Sequence, residues 1–355
     1  MKFILNEAEK LKILNLLDVI ETNSDISEFY NNYLKYKIEC EPNALDIYQT
    51  ILECNELDGD EEGFVETIEP YKLKNIKQLP YNEFSNNEYL KNIKFPQIKL
   101  KNLTFEYDTY LKGEAFISED ITFDNEYRDI NQLSFFDKEI EFPYIKQSNR
   151  IWMSVVPHEI NTMKSAIDEV KGNVLVYGLG LGYFPYMISN KQNVKSITII
   201  EKNKDIIDIF QKYILNQFPN KNKIKVIQSD AFNFQKSQRA NGYDYAFVDL
   251  WKTAIDGLSL YIKMRKLEVY HKDTKYLYWI ENSLISSLRR AIAILISEEL
   301  SDSDDSKYSK SFNTFDSIIN SLHFILKNVN ISSYNDVYKV LSTDFIKKIT
   351  TKINL

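Results

Sequence analysis

Cysteine and histidine are scarce in this chain of 355 residues, which holds two cysteines and three histidines. The two thiols, Cys40 and Cys54, cannot build a disulfide framework, and neither lies in a CxxC or CxxH sequence. We therefore expect two ordinary thiols in a reducing compartment. The histidines lie far apart, without HExxH or paired His/Cys spacing, so the pattern gives no support for a zinc site.

Long apolar runs are also missing. No stretch approaches the roughly 18 apolar residues that a membrane-spanning helix needs. Near the start of the chain, charged residues such as Glu7 and Lys10 interrupt the apolar ones, which is not the pattern of a signal peptide. The formal net charge of −7 disfavours nucleic acid as a general partner. These absences predict a cytoplasmic, soluble protein that does not contact a membrane.

Apolar and aromatic residues are plentiful, at 44% and 14%, so packed cores are expected. We divide the chain into four regions by pattern. Residues 1–69 show helical spacing, and the acidic segment DGDEEG at 58–63 lacks EF-hand spacing and reads as a solvated loop. Residues 70–150 hold short segments typical of a small antiparallel β domain. The apolar stripe of the first helix comprises Leu11, Ile13, Leu14, Leu17 and Ile20.

The two remaining regions are 151–300 and 301–355. The last begins with an exposed linker at 301–311, and a helical tail follows. Four apolar residues are expected to dock this tail on the rest of the protein: Ile318, Leu322, Phe324 and Ile325.

Residues 151–300 alternate buried strands with amphipathic helices, which is typical of a parallel α/β sheet. A helix is predicted to begin at Pro157 and to end at Gly172, with Ile160, Met163, Ile167 and Val170 on one face. The predicted strands are VLVYG, SITIIE, IKVIQSD, YDYAFVDL and, as a fifth, YLYWIE. The expected fold class is therefore α/β: a Rossmann-like domain with a mostly parallel sheet, preceded by helical and antiparallel β regions and followed by a helical tail.

A glycine-rich turn follows the first of these strands. Only nine glycines occur in the chain, yet Gly178, Gly180 and Gly182 fall within five residues. Glycines allow a sharp turn and let a ligand lie against the main chain. A dinucleotide fingerprint, GxGxxG, would need glycine where Tyr183 stands, and no GK[ST] follows to make a P-loop. Taken alone, the turn is weak evidence, and a tight βα connection that binds nothing is the alternative.

Acidic residues end the next three strands. Glu201 ends the second strand, where a carboxylate can accept hydrogen bonds from both ribose hydroxyls of a nucleoside. Asp230 and Ala231 end the third, where an acid and a backbone amide suit the edge of an adenine. Asp249 ends the fourth. Open α/β sheets bind ligands at the carboxyl ends of their strands, so together these features predict a nucleoside site.

This succession of motifs resembles the class I S-adenosylmethionine (SAM)-dependent methyltransferases over residues 155–300. More narrowly, it resembles their spermidine-synthase-like branch, which also has an aliphatic residue at the position of Val176 and a small N-terminal β domain. The resemblance implies SAM as cofactor. It places the methionine part over the glycine turn, the ribose on Glu201, and the adenine beside Asp230 and Ala231.

Two departures argue against aminopropyl transfer. Leu181 stands where those enzymes have an acid that contacts the amine end of the cofactor. Their acidic fourth motif, which recognises a polyamine, is here Asp249-Leu250-Trp251-Lys252, and Lys252 would repel a polyamine if it points inward. The [ND]PP[YF] motif and a Pro-Cys pair are absent as well.

Methyl transfer requires alignment of the acceptor and, for some acceptors, removal of a proton. Asp249 is the first candidate for that role, with a structural acid at a strand end as the alternative. Glu159, at the start of a helix, is a second catalytic candidate, although an acid also suits a helix N-terminus. Tyr183 could line the methyl site or pack at a helix start. Trp251 and His158 are the candidate walls of the substrate pocket, or else core residues.

Three functions of different class remain open. The first is a SAM-dependent methyltransferase acting on a small molecule or peptide. The second is an aminopropyltransferase that uses decarboxylated SAM, and the third is a non-catalytic SAM-fold binding module. Trp279 and Glu281 are weaker site candidates, for which packing and helix capping are the stronger interpretations. The oligomeric state stays open, with a homodimer as one option.

Overall fold

The structure is a computed structural model that describes residues 1–33, 44, 76–147, 150–300 and 314–355. Cys40, Cys54, the predicted loop at 58–63 and the predicted linker at 301–311 lie outside these described residues. The same is true of much of the predicted helical region 1–69.

The chain begins with strand β1 (Lys2–Phe3) and helix α1 (Glu7–Tyr33). Ile13, Leu17 and Ile20 are buried in the main core, as the helical spacing predicts. The prediction for Leu11 is wrong, because its side chain is 62% exposed. It lies two residues before Ile13, and at about 100° per residue that places it on the opposite side of the helix.

The β-rich region contains a four-stranded antiparallel sheet of order β10-β9-β4-β3, a three-stranded mixed sheet of order β2-β8-β5 and an antiparallel pair, β6-β7. The register of β10 against β9 shifts between Ile151 and Met153, which marks a β-bulge. β10 also crosses the expected domain boundary between residues 150 and 151. The elements are β2 (Ile76–Leu79), α2 (Tyr81–Ser85), α3 (Glu88–Asn92), β3 (Ile98–Leu100), β4 (Leu103–Tyr110), β5 (Phe116–Ile117), β6 (Thr122–Phe123), β7 (Asp129–Ile130), β8 (Leu133–Phe136), β9 (Ile140–Gln147) and β10 (Arg150–Ser154).

A mixed α/β unit with a five-stranded parallel sheet follows. Pro157 occupies the first turn of its first helix, and Met163 and Ile167 are buried on one face of that helix, as predicted; Val170, directly after the helix, is buried as well. Its elements are α4 (Pro157–Glu169), β11 (Gly172–Tyr177), α5 (Tyr183–Ser189), β12 (Val194–Glu201), α6 (Lys204–Ile209), β13 (Ile224–Gln228), α7 (Ala231–Gln235), β14 (Tyr245–Val248), α8 (Ala254–Leu267) and β15 (Lys275–Tyr278).

The strand order of the parallel sheet is β13-β12-β11-β14-β15. Leu175 of β11 lies opposite Thr198 of β12 on one side and Ala246 of β14 on the other. The order reverses at β11, which is the first strand of the sheet along the chain but stands in its centre. Connections that diverge from such a reversal point leave a crevice at the carboxyl ends of the strands, which is where open α/β sheets bind ligands.

The C-terminal part comprises α9 (Glu281–Leu300), α10 (Thr314–Leu326), β16 (Asn330–Ile331), α11 (Tyr334–Val340) and α12 (Thr343–Thr350). β16 pairs in parallel with β1 and so joins the two ends of the described chain. Ile318 and Leu322 are buried, as predicted. The prediction for Phe324 is wrong: it is 76% exposed, since it lies about 200° around the helix from Leu322. Among the described residues, no helix is long and apolar enough to cross a membrane.

Candidate functional site

A cavity of ≈ 540 Å³ lies at the carboxyl ends of the parallel strands. Residues that end the five strands or follow them within two positions line it: Gly178, Glu201, Asp230, Asp249 and Trp279. It is also lined by the other predicted site residues Glu159, Gly180, Tyr183, Ala231 and Trp251. Gly182 and His158 do not belong to its wall.

The three glycines of the turn have different roles. All three have positive φ, which favours glycine. A Cβ on Gly178 would lie 1.9 Å from the carbonyl oxygen of Asp249, so this glycine lets β11 and β14 approach each other. A Cβ on Gly180 would meet nothing within 4 Å, because this glycine faces open space at the cavity. A Cβ on Gly182 would lie 2.7 Å from the Phe210 ring, so packing requires that glycine.

Glu201 is buried and its carboxylate accepts two backbone hydrogen bonds. The amide of Leu179 donates at 3.3 Å, and the amide of Asn203 donates at 2.7 Å. One oxygen therefore holds the glycine turn, while the other holds the segment after β12. Each carboxylate oxygen has a further lone pair that a ligand hydroxyl can use.

Asp230 is the N-cap of α7. Its Oδ1 accepts a hydrogen bond of 2.9 Å from the amide of Asn233, which stabilises the helix start. No described residue donates a hydrogen bond to the other carboxylate oxygen. Ala231 follows and is buried, so a flat ring can lie against it.

Asp249 and Glu159 form an acidic pair at the cavity. Both side chains are half-buried, and within the described part of the chain neither carboxylate accepts a hydrogen bond. Burial, and then the charge of Glu201, raise the pKa of Asp249 to about 7. Burial, and then the charge of Asp249, raise the pKa of Glu159 well above its usual range. Two such carboxyls favour binding a proton or a cation.

All three tryptophans of the chain line this cavity. Trp279 donates its indole N–H to the hydroxyl of Thr162 at 2.8 Å. The next residue, Ile280, has a φ of 45°, which a β-branched residue rarely adopts, so the turn into α9 is strained beside the site. Trp152 lies on the bulged part of β10, and the ammonium of Lys252 lies 5.9 Å from its ring centroid. Lys252 is exposed, so its charge lies at the cavity mouth.

Trp251 is 6% exposed, and its indole N–H has no hydrogen-bond partner among the described residues. Its ring packs against Gly257 of α8, where a Cβ would lie 2.5 Å from the Trp251 Cγ. Its ring also lies nearly parallel to the ring of Tyr278, with 6.4 Å between the ring centroids. The position of the Trp251 ring, just after β14, therefore depends on the absence of a side chain at Gly257.

We expect Gly257→Ala to destabilise the protein. Alanine gains about 1 kcal/mol of helix propensity over glycine, but the new methyl group displaces a packed indole, and overpacking of this kind costs about 1–3 kcal/mol. The expected net result is a lower melting temperature and altered tryptophan fluorescence. Ser259→Ala, in the same helix, is the matched control. An increase in melting temperature for Gly257→Ala would contradict the packing described above.

The contacts of Tyr183 and His158 in this structure are a hydrogen bond and ring packing. The Tyr183 hydroxyl accepts a 3.2 Å hydrogen bond from the side chain of Asn87, and the residue lines the cavity. His158 lies edge-on to Trp279, and burial lowers its pKa to about 4, so it is neutral at physiological pH. Tyr183 is therefore part of the cavity wall, whereas His158 packs against Trp279 of that wall.

The β-rich region contributes residues that the sequence patterns did not indicate. Ile151, Trp152, Met153, Ser154 and Val155 of β10 and the segment after it form one side of the cavity. In addition, the buried hydroxyl of Tyr89 on α3 donates a hydrogen bond to the carbonyl of Leu181 in the glycine turn. The region before the parallel sheet therefore both walls the cavity and supports the turn.

No family model matches the chain, and no curated protein matches it. Among solved structures, it is similar to two crystal structures of the methyltransferase domain of bacterial CtHen1, described as C and CN forms. Each is 20% identical, with a TM-score of 0.20, over 24% of this chain. The match spans 43% and 44% of those two chains, less than half of their length. A TM-score of 0.20 does not establish a common fold, so the fold class rests on the sheet topology.

Proposed function

We propose that this chain is a SAM-dependent methyltransferase whose cofactor and acceptor share the cavity at the carboxyl ends of the parallel strands. One observation carries the proposal. The glycine turn, Glu201 and Asp230 follow three adjacent strands of a sheet whose order reverses at β11, and all three line the same cavity. That arrangement supports the assignment of the glycine turn to the methionine part, Glu201 to the ribose and Asp230 to the adenine of one bound nucleoside.

The residues present fit a nucleoside. Gly180 leaves open space against the main chain, where any side chain would intrude. Glu201 is pre-oriented by two backbone donors and keeps lone pairs for ribose hydroxyls. Asp230 keeps an oxygen free of described donors, and Ala231 offers a small apolar surface to a base. No lysine or arginine is buried in this cavity wall, which disfavours a pyrophosphate and favours a ligand without phosphate.

SAM supplies, when bound, a methyl group on a positively charged sulfur, which becomes a neutral thioether once an acceptor lone pair has taken the methyl. The task of the protein is then to align the acceptor and to remove its proton. Asp249 and Glu159 lie at the cavity without hydrogen-bond donors from the described residues. The pKa of Asp249, about 7, suits a group that takes up a proton at neutral pH.

The finer placement in the spermidine-synthase-like branch stays part of the proposal. Val176 and Leu181 are both buried, and the Leu181 carbonyl is bonded to Tyr89. A leucine in that place offers no charge to the amine end of decarboxylated SAM, so we favour methyl transfer over aminopropyl transfer. The non-catalytic alternative has the same cavity and differs only in the absence of turnover.

The test is transfer of label from methyl-labelled SAM into a cell extract incubated with the purified protein. We expect label in an extract component, greatly reduced with Asp230→Ala. Asp208→Asn, at a side chain that is 51% exposed on α6, is the matched control and should behave as the unmodified protein. Transfer of an aminopropyl group from decarboxylated SAM would select the second function. Binding without any transfer would select the third, and absence of both would overturn the proposal.

A further inference from the structure

The interior of the cavity is acidic. Glu159, Glu201, Asp230 and Asp249 are buried or half-buried in its wall. The two lysines among its lining residues, Lys202 and Lys252, are exposed, so water screens their charges. The remaining acid, Asp256, is exposed as well and is used to cap α8. The interior therefore holds four carboxyl groups, and no lysine or arginine is buried among its described lining residues.

The proposed cofactor does not account for all four carboxyl groups. SAM carries a sulfonium and an ammonium group against a carboxylate, and its nucleoside is assigned to Glu201 and Asp230. Glu159 and Asp249 are left without hydrogen bonds from described residues. Carboxyls buried in this way are costly unless they are protonated or paired with a cation.

The walls around this acidic pair are aromatic. Trp152, Trp251 and Trp279 all line the cavity, and the face of Trp152 already lies 5.9 Å from a lysine ammonium. Indole faces attract organic cations. The Trp251 side chain is 6% exposed, and its indole N–H has no hydrogen-bond partner among the described residues.

We infer that the acceptor half of the cavity binds an amine, with its nitrogen at Glu159 and Asp249 and its carbon skeleton against the tryptophans. This inference rests on the proposed function, since it assigns the acceptor of that reaction. The ammonium form binds first and gives a proton to the carboxylate pair. The freed lone pair of the amine nitrogen forms the bond to the methyl carbon. At the same time the carbon–sulfur bond breaks, and the electron pair of that bond stays on sulfur.

Because every tryptophan of the chain lines the cavity, intrinsic tryptophan fluorescence reports on its occupancy directly. We would titrate the full chain, saturated with S-adenosylhomocysteine, with methylamine, putrescine and benzylamine. Methanol, 1,4-butanediol and benzyl alcohol are the matched neutral compounds. We expect at least one amine to bind about tenfold more tightly than its alcohol. The same amine should bind about tenfold more weakly to Glu159→Gln and to Asp249→Asn.

Asp168→Asn, at an exposed residue of α4, is the matched control and should leave amine affinity unchanged. Calorimetry of S-adenosylhomocysteine with the same variants keeps the two proposals separable. If this nucleoside binds but no amine outcompetes its alcohol, the amine inference is overturned and the methyltransferase proposal stands. If amines bind as expected but the nucleoside does not, the methyltransferase proposal fails. Equal amine affinity in Glu159→Gln, Asp249→Asn and the unmodified protein would also overturn the inference.

Discussion

Replacing Asp249 with asparagine is expected to abolish most methyl transfer while making the protein more stable at pH 8. Loss of a positioned proton acceptor lowers a rate by about 10²–10⁴-fold. The measurement is label transfer from SAM into the fraction that the unmodified protein methylates. Affinity for S-adenosylhomocysteine should change little, because Asp249 is assigned to the acceptor and not to the nucleoside.

The gain in stability follows from the direction of the pKa shift. Burial raises the pKa of folded Asp249 to about 7, whereas an unfolded aspartate has a pKa of about 3.9. The folded state binds this proton more tightly, so the contribution of Asp249 to stability is fully present below about pH 4. It is lost as pH rises through about 7.

Asparagine has no carboxyl to ionise, so the stability of the Asp249→Asn variant does not fall through this titration. Its advantage should be small near pH 4, grow up to pH 7, and reach about 1–2 kcal/mol at pH 8. That is less than the full shift implies, because the half-buried side chain is partly screened. Thermal unfolding at pH 5 and pH 8 measures it. A variant that is no more stable than the unmodified protein at pH 8 would contradict the assignment of a destabilising buried carboxyl.

Alanine substitutions at Gly178 and Gly180, two residues apart, are expected to have different effects. Gly178→Ala places a methyl group 1.9 Å from the Asp249 carbonyl oxygen, at a φ of 97°. A positive φ costs an ordinary residue about 1–2 kcal/mol, and overpacking adds about 1–3 kcal/mol. We expect a loss of about 3 kcal/mol or more, seen as a large fall in melting temperature or as failure to fold.

Gly180→Ala carries the backbone strain of a positive φ but no steric clash, since nothing lies within 4 Å of an added Cβ. It should fold, with a loss of about 1–2 kcal/mol. The methyl group would project into the space assigned to the cofactor, so affinity for S-adenosylhomocysteine should fall at least about tenfold. A Gly180→Ala protein that binds this nucleoside normally would show that the open space at Gly180 does not hold it.

The central sheet and the strand-end residues could be predicted from local sequence alone. Runs of β-branched residues such as SITIIE mark a buried parallel strand, and the three closely spaced glycines after VLVY mark the turn that follows the first strand. Because parallel strands end at one edge of a sheet, the positions of Glu201, Asp230 and Asp249 along the chain imply their proximity in space. The structure places all three at the same cavity.

Other parts of the site depend on tertiary contacts that no local pattern records. Trp152 reaches the cavity because β10 belongs to a separate sheet and carries a bulge. Gly182 has the spacing of a ligand-binding glycine, yet its α-hydrogen faces Phe210, which is 28 residues away in the sequence. His158 lies edge-on to Trp279 and does not line the cavity, whereas the neighbouring Glu159 does. The Lys252 ammonium lies over the Trp152 ring, and Lys252 is exposed. The predicted repulsion of a cation required Lys252 to point into the cavity.

The most direct test of a nucleoside site at this sheet edge is a calorimetric titration of the full chain with SAM. We predict one binding site per chain, an affinity at least about tenfold weaker in Glu201→Gln, and an unchanged affinity in Asp208→Asn. NAD should bind far more weakly than SAM. No heat of binding with the unmodified chain, or equal affinities in Glu201→Gln and Asp208→Asn, would contradict the site.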